Sequence, residues 1–205
     1  MNKFILNFIL NATEQITLEL ESPLDNLDYC CRTNIIWHQQ KNIFLLSNDS
    51  LYYDMERFSD FLKKALNNEL QLHHSITQDI GYLCNEYYQN KHGFILHNFA
   101  HGGQDWIGYQ YHLWEAYKNN IRLITWLYNN IGGTIIFEIT PCYPYLFCEP
   151  EDEPNYISYN EWIKTYKPYL IKEIPIDVAQ KWLNQTELIV KTIEKNETQW
   201  QKKNT

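Results

Sequence analysis

Short runs dense in β-branched and aromatic residues recur along most of this chain, and they limit its possible folds more than any other feature. KFILNFIL and QITLEL, at 3–10 and 15–20, are split by the turn residues NATE. NIIWHQQKNIFLL, from residue 34, repeats the form as strand, a Lys41-Asn42 turn, and strand. FILHNFA, WIGYQYHLWE, RLITWLY and TIIFEIT then follow between positions 94 and 140, bounded by Gly and Asn pairs. Such side chains fit a pleated, half-buried surface, and the punctuation between them reads as hairpin turns. NNIGG, between the last two runs, is a further turn, and Pro141 and Pro144 end the pairing because neither can donate a ladder hydrogen bond.

The apolar period changes in three places. From Asp54, which is placed to cap a first turn, Met55, Phe58, Leu62, Ala65 and Leu66 recur at helical spacing and predict a helix over 54–68. Ser158 with Glu161 forms a capping box ahead of Trp162, Ile163 and Tyr166, predicting a helix over 158–167. Val178, Trp182, Ile189 and Ile193 form one stripe, with Leu183 and Val190 beside it, over 176–195. SITQDIGYLCNEYYQN leans to a helix ending near Lys91-His92-Gly93. The reading is a single α+β domain over 1–205: a mostly antiparallel sheet of about six to eight strands with about three packed helices. The polar end after about residue 196 is expected to fray.

Composition removes several classes. The chain is 44 % hydrophobic and 16 % aromatic, too rich for disorder, and shows no solenoid repeat. Its net charge of −8, with no lysine or arginine stripe, argues against nucleic acid, whose phosphates demand clustered cations. No apolar run is long enough to cross a bilayer. The greasy start MNKFILNFIL is interrupted by Asn7 and followed by no small-residue cleavage site, so it reads as an opening strand rather than a signal peptide. Five cysteines, an odd number with Cys30 and Cys31 adjacent, suit reduced thiols in a cytoplasm better than a disulfide framework.

The stretch that most resembles chemistry is HNFAHGGQDWIGYQYHLWE, residues 97–115. His97 and His101 are four apart, a zinc-binding spacing on a helix, but on a strand the same step spans about 13 Å. If GGQD is a four-residue turn, His101 faces Trp106, His97 faces Gln110, and His112 lies diagonally from His97. Glu138 on a neighbouring strand would then be the third ligand that a catalytic zinc needs. A metal-dependent hydrolase using His97, His112 and Glu138 is therefore the enzymatic alternative; sheet histidines in an ordinary hairpin are the preferred reading. Cys84 or Cys142 paired with a histidine is a further nucleophile candidate, weighed against idle buried thiols. Cys142 and Cys148 lack zinc-ribbon spacing, and the glycines of 131–133 lack that of a phosphate loop. No cofactor is implied. The loop CEPEDEPN (148–155) concentrates Glu149, Glu151, Asp152 and Glu153 without the pattern of a calcium loop, so it is either solvated or faces a positively charged partner.

YQYHLWEAYKNNIRLITWLY, TIIFEITPCYP and SYNEWIKTYKPYLIKEIPIDVAQKWL resemble small bacterial domains encoded beside polymorphic or contact-dependent toxins, many regarded as immunity proteins. The resemblance covers roughly residues 33–195 and rests on element order and aromatic phrasing. It implies a cytoplasmic, non-catalytic binder of a cognate toxin, with a basic toxin domain as partner. Toxin contacts vary within such proteins, so no residue role is carried over. A ligand-binding or adaptor domain is the third reading.

Overall fold

The structure is a computed structural model, and it describes residues 3–39, 42–90, 93–98, 103–118, 121–145 and 156–204. β1 (Phe4–Ile9), β2 (Gln15–Leu20), β3 (Arg32–His38) and β4 (Ile43–Ser50) form an antiparallel meander, each strand paired with the next. The first turn is set by Asn11, whose Oδ1 accepts the Thr13 N–H at 2.9 Å, the Asx geometry that short amide side chains favour. β4 runs straight into α1 (Leu51–Leu66). After α2 (Ile80–Gln89) comes a two-stranded ribbon, β5 (Leu96–Asn98) with β6 (Gln104–Trp106). A second sheet follows from β7 (His112–Lys118), β8 (Ile121–Asn129) and β9 (Ile135–Pro141); α3 (Tyr159–Trp162) leads to β10 (Leu170–Ile174), which joins its edge in the order β10-β9-β8-β7. α4 (Ile176–Asn204) closes the chain. The class is α+β with antiparallel sheets, as the strand runs and helical stripes predict.

Four details depart from expectation. α1 starts at Leu51 rather than Asp54, because Leu51 is fully buried and begins the stripe Leu51, Met55, Phe58, Leu62 and Ala65. Asp54 lies within the first turn and does not cap it. The helix stops in a Schellman turn: Asn68 takes φ 60°, the Glu69 N–H reaches the Lys64 carbonyl at 2.8 Å, and the Asn68 N–H that of Ala65 at 3.0 Å. WIGYQYHLWE is not one strand. Ile107–Tyr111 is a 3-10 turn in which the Trp106 ring folds over Gly108, where a Cβ would stand 2.4 Å from the indole. The 158–167 helix shrinks to α3 and a 3-10 turn, Ile163–Thr165, although its capping box is present. α4, in contrast, continues past residue 196 to Asn204, where a frayed end was expected.

β10 has no counterpart among the strand runs read from the sequence. Its burial alternates, with Leu170 and Ile174 inward and Ile171 and Glu173 outward, but Pro168 and Pro175 hide so short a strand within turn-like sequence.

One hydrophobic cluster links both sheets to α1 and α4. Its centre is aromatic. The Phe58 ring of α1 lies 4.7 Å from Trp114 of β7, 5.8 Å from Phe8 of β1 and 6.0 Å from Trp182 of α4. Trp37 of β3 stacks on Phe137 of β9 at 5.3 Å. At the edge of the first sheet, α4 takes the place of another strand: Trp182 Nε1 donates to the Ile9 carbonyl at 3.1 Å and Gln185 to that of Asn7 at 3.3 Å. That arrangement blunts an edge whose sequence is otherwise prone to pair with another chain.

Phe58→Ala removes the ring that both sheets and α4 share. The expected loss is about 3–5 kcal/mol, lowering the melting temperature by on the order of 10 °C. Calorimetry checks this, and an unchanged melting temperature would place the core junction elsewhere.

Candidate functional site

Strand β9 sets the floor of the site. Ile135, Phe137 and Ile139 turn toward the main core, so Ile136, Glu138 and Thr140 face the other side, which in an antiparallel sheet is commonly wet. Here α2 covers it. Asp79 caps α2, its Oδ1 accepting the Tyr82 N–H at 2.7 Å. Gly81 then rests on the strand: a Cβ there would lie 2.4 Å from both the Thr140 side chain and the Tyr166 hydroxyl. Only glycine allows that approach. Asn85 completes the clasp, donating to the Pro141 carbonyl at 3.0 Å and accepting the Tyr143 N–H at 2.7 Å.

The approach encloses a small polar group. Glu138 is 1 % exposed, and its Oε2 accepts the Tyr128 hydroxyl at 2.7 Å. The negative charge of Asp79 acts on the same carboxyl. Oε1 is sealed from water and has no hydrogen-bond partner, so a charge on this carboxyl would be poorly satisfied. Tyr166 donates to Asp79 Oδ1 at 2.5 Å, and Trp126 Nε1 donates to Thr140 Oγ1 at 2.7 Å. Burial first, and the negative charge of Asp79 second, push the Glu138 carboxyl up to about 8. Burial and the same carboxylates raise the Tyr128 and Tyr166 hydroxyls, which remain donors.

Along the same face Arg122 makes a two-point bond with Glu115, Nε to Oε1 at 2.6 Å and Nη2 to Oε2 at 2.9 Å, with its guanidinium 5.4 Å from the Tyr88 ring centre. Cys84 reaches the Tyr109 hydroxyl at 4.0 Å, not a histidine. Burial raises both the Cys84 and Cys142 thiols, Cys142 to about 12, so neither is an activated nucleophile.

The two histidines proposed as partners lie in different sheets. β5 and β6 pair Leu96 with Trp106, His97 with Asp105 and Asn98 with Gln104, so His97 faces Asp105 and not Gln110. The turn at Ile107–Tyr111 then carries His112 into the second sheet, opposite Trp126. Trp126 is in turn opposite Glu138. His112 and Glu138 therefore share a row two strand spacings apart, about 10 Å. The indole fills that gap, 5.6 Å from the imidazole. Among the described residues no group of three or more His, Cys, Asp or Glu is placed to hold a metal ion. His112 Nε2 is sealed from solvent without a hydrogen-bond partner, and burial, followed by the positive charge of Arg57, lowers the ring to about 4. His101 and the loop carrying Glu149, Glu151, Asp152 and Glu153 lie outside the described residues.

Sequence reasoning selected Glu138 but not its partners Asp79, Tyr128 and Tyr166. Asp79, a cap residue just before an apolar run, carried a recognisable helix-start signal; the two tyrosines carried none. No family model, curated protein or solved structure matches the chain. No helix among the described residues is long and apolar enough to cross a membrane.

Stability should follow pH with two opposed signs. Glu138 is raised from 4.5 to about 8, so the folded state holds an extra proton across that window; its contribution is full below 4.5 and is lost as pH climbs toward 8. Asp54 at the start of α1, raised to about 7 by burial and then by Asp49, acts in the same direction. His112, lowered from 6.5 to about 4, contributes fully above 6.5 and loses its contribution as pH falls toward 4. Above pH 6.5 the carboxyls therefore act unopposed, by up to about 1.4 kcal/mol per pH unit for each proton. Urea unfolding at pH 6.5–8 should show falling stability in the wild type and a flatter profile in Glu138→Gln, which keeps a hydrogen on that side chain at every pH. Parallel profiles would refute the raised Glu138 carboxyl.

Proposed function

We propose that this chain is a non-catalytic protein-binding domain, most concretely an immunity protein that neutralises a cognate bacterial toxin in the cytoplasm. The observation that supports this reading is how the chain uses its chemically capable side chains. Glu138, Asp79, Arg122 and Glu115 are spent on internal partners, while His112, Cys84 and Cys142 are held uncharged by burial. Meanwhile large apolar and aromatic side chains stand in solvent, including Tyr53 at 66 %, Tyr117 at 64 % and Trp200 at 63 %. A plug for another protein's active site needs a rigid scaffold with aromatic anchors on its surface, and it needs no reacting group of its own. The net charge of −8 suits a basic toxin domain, whose approach it would speed.

Co-expression with the product of the adjacent gene tests the reading. The expected result is a one-to-one complex in solution and relief of growth arrest caused by that product. A chain that purifies with stoichiometric zinc, lost together with hydrolytic turnover in His112→Ala, would replace this reading with the metal-dependent hydrolase.

A further inference from the structure

A groove of about 280 Å³ runs along the seam between α1 and α4. The two helices are antiparallel, since Tyr52 near the start of α1 meets Glu194 of α4 while Lys63, further along α1, meets the earlier Glu187. At the Lys63 end the charges are balanced. Glu187 pairs with Lys63 at 2.9 Å and with Lys191 at 3.4 Å, and Asp60 pairs with Lys64 at 2.7 Å. At the Tyr52 end they are not. The Tyr52 hydroxyl donates to Glu194 Oε1 at 3.2 Å, and burial first, then the charge of Glu56, push that hydroxyl up to about 12. Two carboxylates from different helices therefore act on one hydroxyl, and neither has a Lys, Arg or His partner among the described residues. Like charges brought together in this way repel and weaken the fold.

Ser59, one turn from Glu56 on the same groove, is 6 % exposed. Its hydroxyl has no hydrogen-bond partner and yet is not sealed from water, so the small opening it keeps is to the groove it lines. Aromatic rings surround the Tyr52 end. Tyr29 meets Tyr52 edge-on at 4.5 Å and Tyr53 meets it at 5.3 Å, with Tyr29 39 % and Tyr53 66 % exposed. Two carboxylates, acceptor hydroxyls and exposed rings together suit a ligand with positive charge, several N–H donors and a flat face. A guanidinium has all three: its donors form a rigid planar fork that can serve two carboxylates, and its face stacks on aromatic rings. An ammonium answers the charge alone. On a chain of net charge −8, the partner that brings such a group is drawn in by its own basic surface.

We propose that the Tyr52 end of the α1–α4 groove binds an arginine side chain presented by a basic partner protein, the guanidinium bridging Glu56 and Glu194 beside the rings of Tyr29 and Tyr53. The assignment rests on the protein-binding reading and names its surface.

Nuclear magnetic resonance titration of the full chain at low salt, with the synthetic peptides GSRGSRGSG and GSKGSKGSG, tests it. The arginine peptide should bind saturably and about threefold or more tighter than the lysine peptide, with amide shifts centred on Tyr52, Glu56, Ser59 and Glu194. Glu56→Gln combined with Glu194→Gln should weaken binding about tenfold. Glu69→Gln combined with Glu173→Gln, the same change of charge at exposed positions elsewhere, should weaken it about twofold or less. Circular dichroism should stay unchanged in both variants, and the groove variant should melt no lower than the wild type. Absence of saturable binding, equal weakening by the two pairs of substitutions, or no preference for arginine overturns the assignment. The two readings fail separately. If the chain neutralises a toxin equally well with and without the Glu56→Gln and Glu194→Gln changes, the groove is excluded and the binding domain stands. If it neutralises no toxin while the peptide results hold, the arginine site stands and the immunity reading falls.

Discussion

The central strands of the second sheet, β8 and β9, are buried on both faces, and most of the architecture follows from that constraint. Ile135 to Thr140 of β9 are buried without a break, as are Leu123 to Leu127 of β8. Either face left in water would expose large apolar surface, at about 25 cal/mol for each Å² uncovered. α1 with the first sheet covers one side, through Phe58 on Trp114 and Trp37 on Phe137. α2 with the ribbon covers the other, and Gly81 lets that helix sit close enough to seal it. A covered sheet tolerates few polar side chains, because each one left without a partner inside is costly. Tyr128, Asp79 and Thr140 therefore lie next to Glu138 and Trp126 as a consequence of the packing.

Local signals were legible in the sequence wherever a short range decided the outcome. The first hairpin follows from alternation and from Asn11, the last from Asn130, whose Oδ1 accepts the Gly132 and Thr134 N–H groups at 2.9 and 3.0 Å. The α4 stripe Val178, Trp182, Ile189 and Ile193 is buried as its spacing requires. What was not legible depended on distant neighbours. Leu51 belongs to α1 because the core reaches it, although Asp54 carried the stronger cap signal. Gly108 interrupts a convincing strand because Trp106 needs the space above it, which no window of periodicity reports. For the site, composition could nominate Glu138 but not pair it, because Asp79 lies 59 residues earlier, across two strands and a ribbon.

The histidine stretch shows why residue type alone is a weak guide to chemistry. A one-residue change of register, or a single turn inserted in a hairpin, moves a side chain to another face or another sheet. Here the inserted turn separates His97 from His112 and places the second against Trp126. An imidazole in that setting is worth more to the fold neutral than charged, the reverse of what a pH-poised acid or base requires.

Buried ion and carboxyl pairs are poor stabilisers compared with apolar side chains of the same volume, because desolvation offsets much of what the contact returns. Geometry offers a different account of the Asp79–Glu138 pair. Asp79 bonds at once to the α2 backbone through Tyr82 and to the α3 turn through Tyr166, and its charge acts on Glu138 of β9. The start of α2 and the α3 turn, distant in sequence, are thereby held in one arrangement by directional bonds, where apolar contacts alone would allow sliding. Tyr166, the last of these, also lines a surface cleft with Trp162, Pro168 and Tyr169. A side chain already fixed before a ligand arrives loses no rotamer freedom on binding, and ordering such a side chain otherwise costs about 0.5–1.5 kcal/mol. The buried carboxylate thus has an effect at the surface, because it holds the Tyr166 ring there in one orientation.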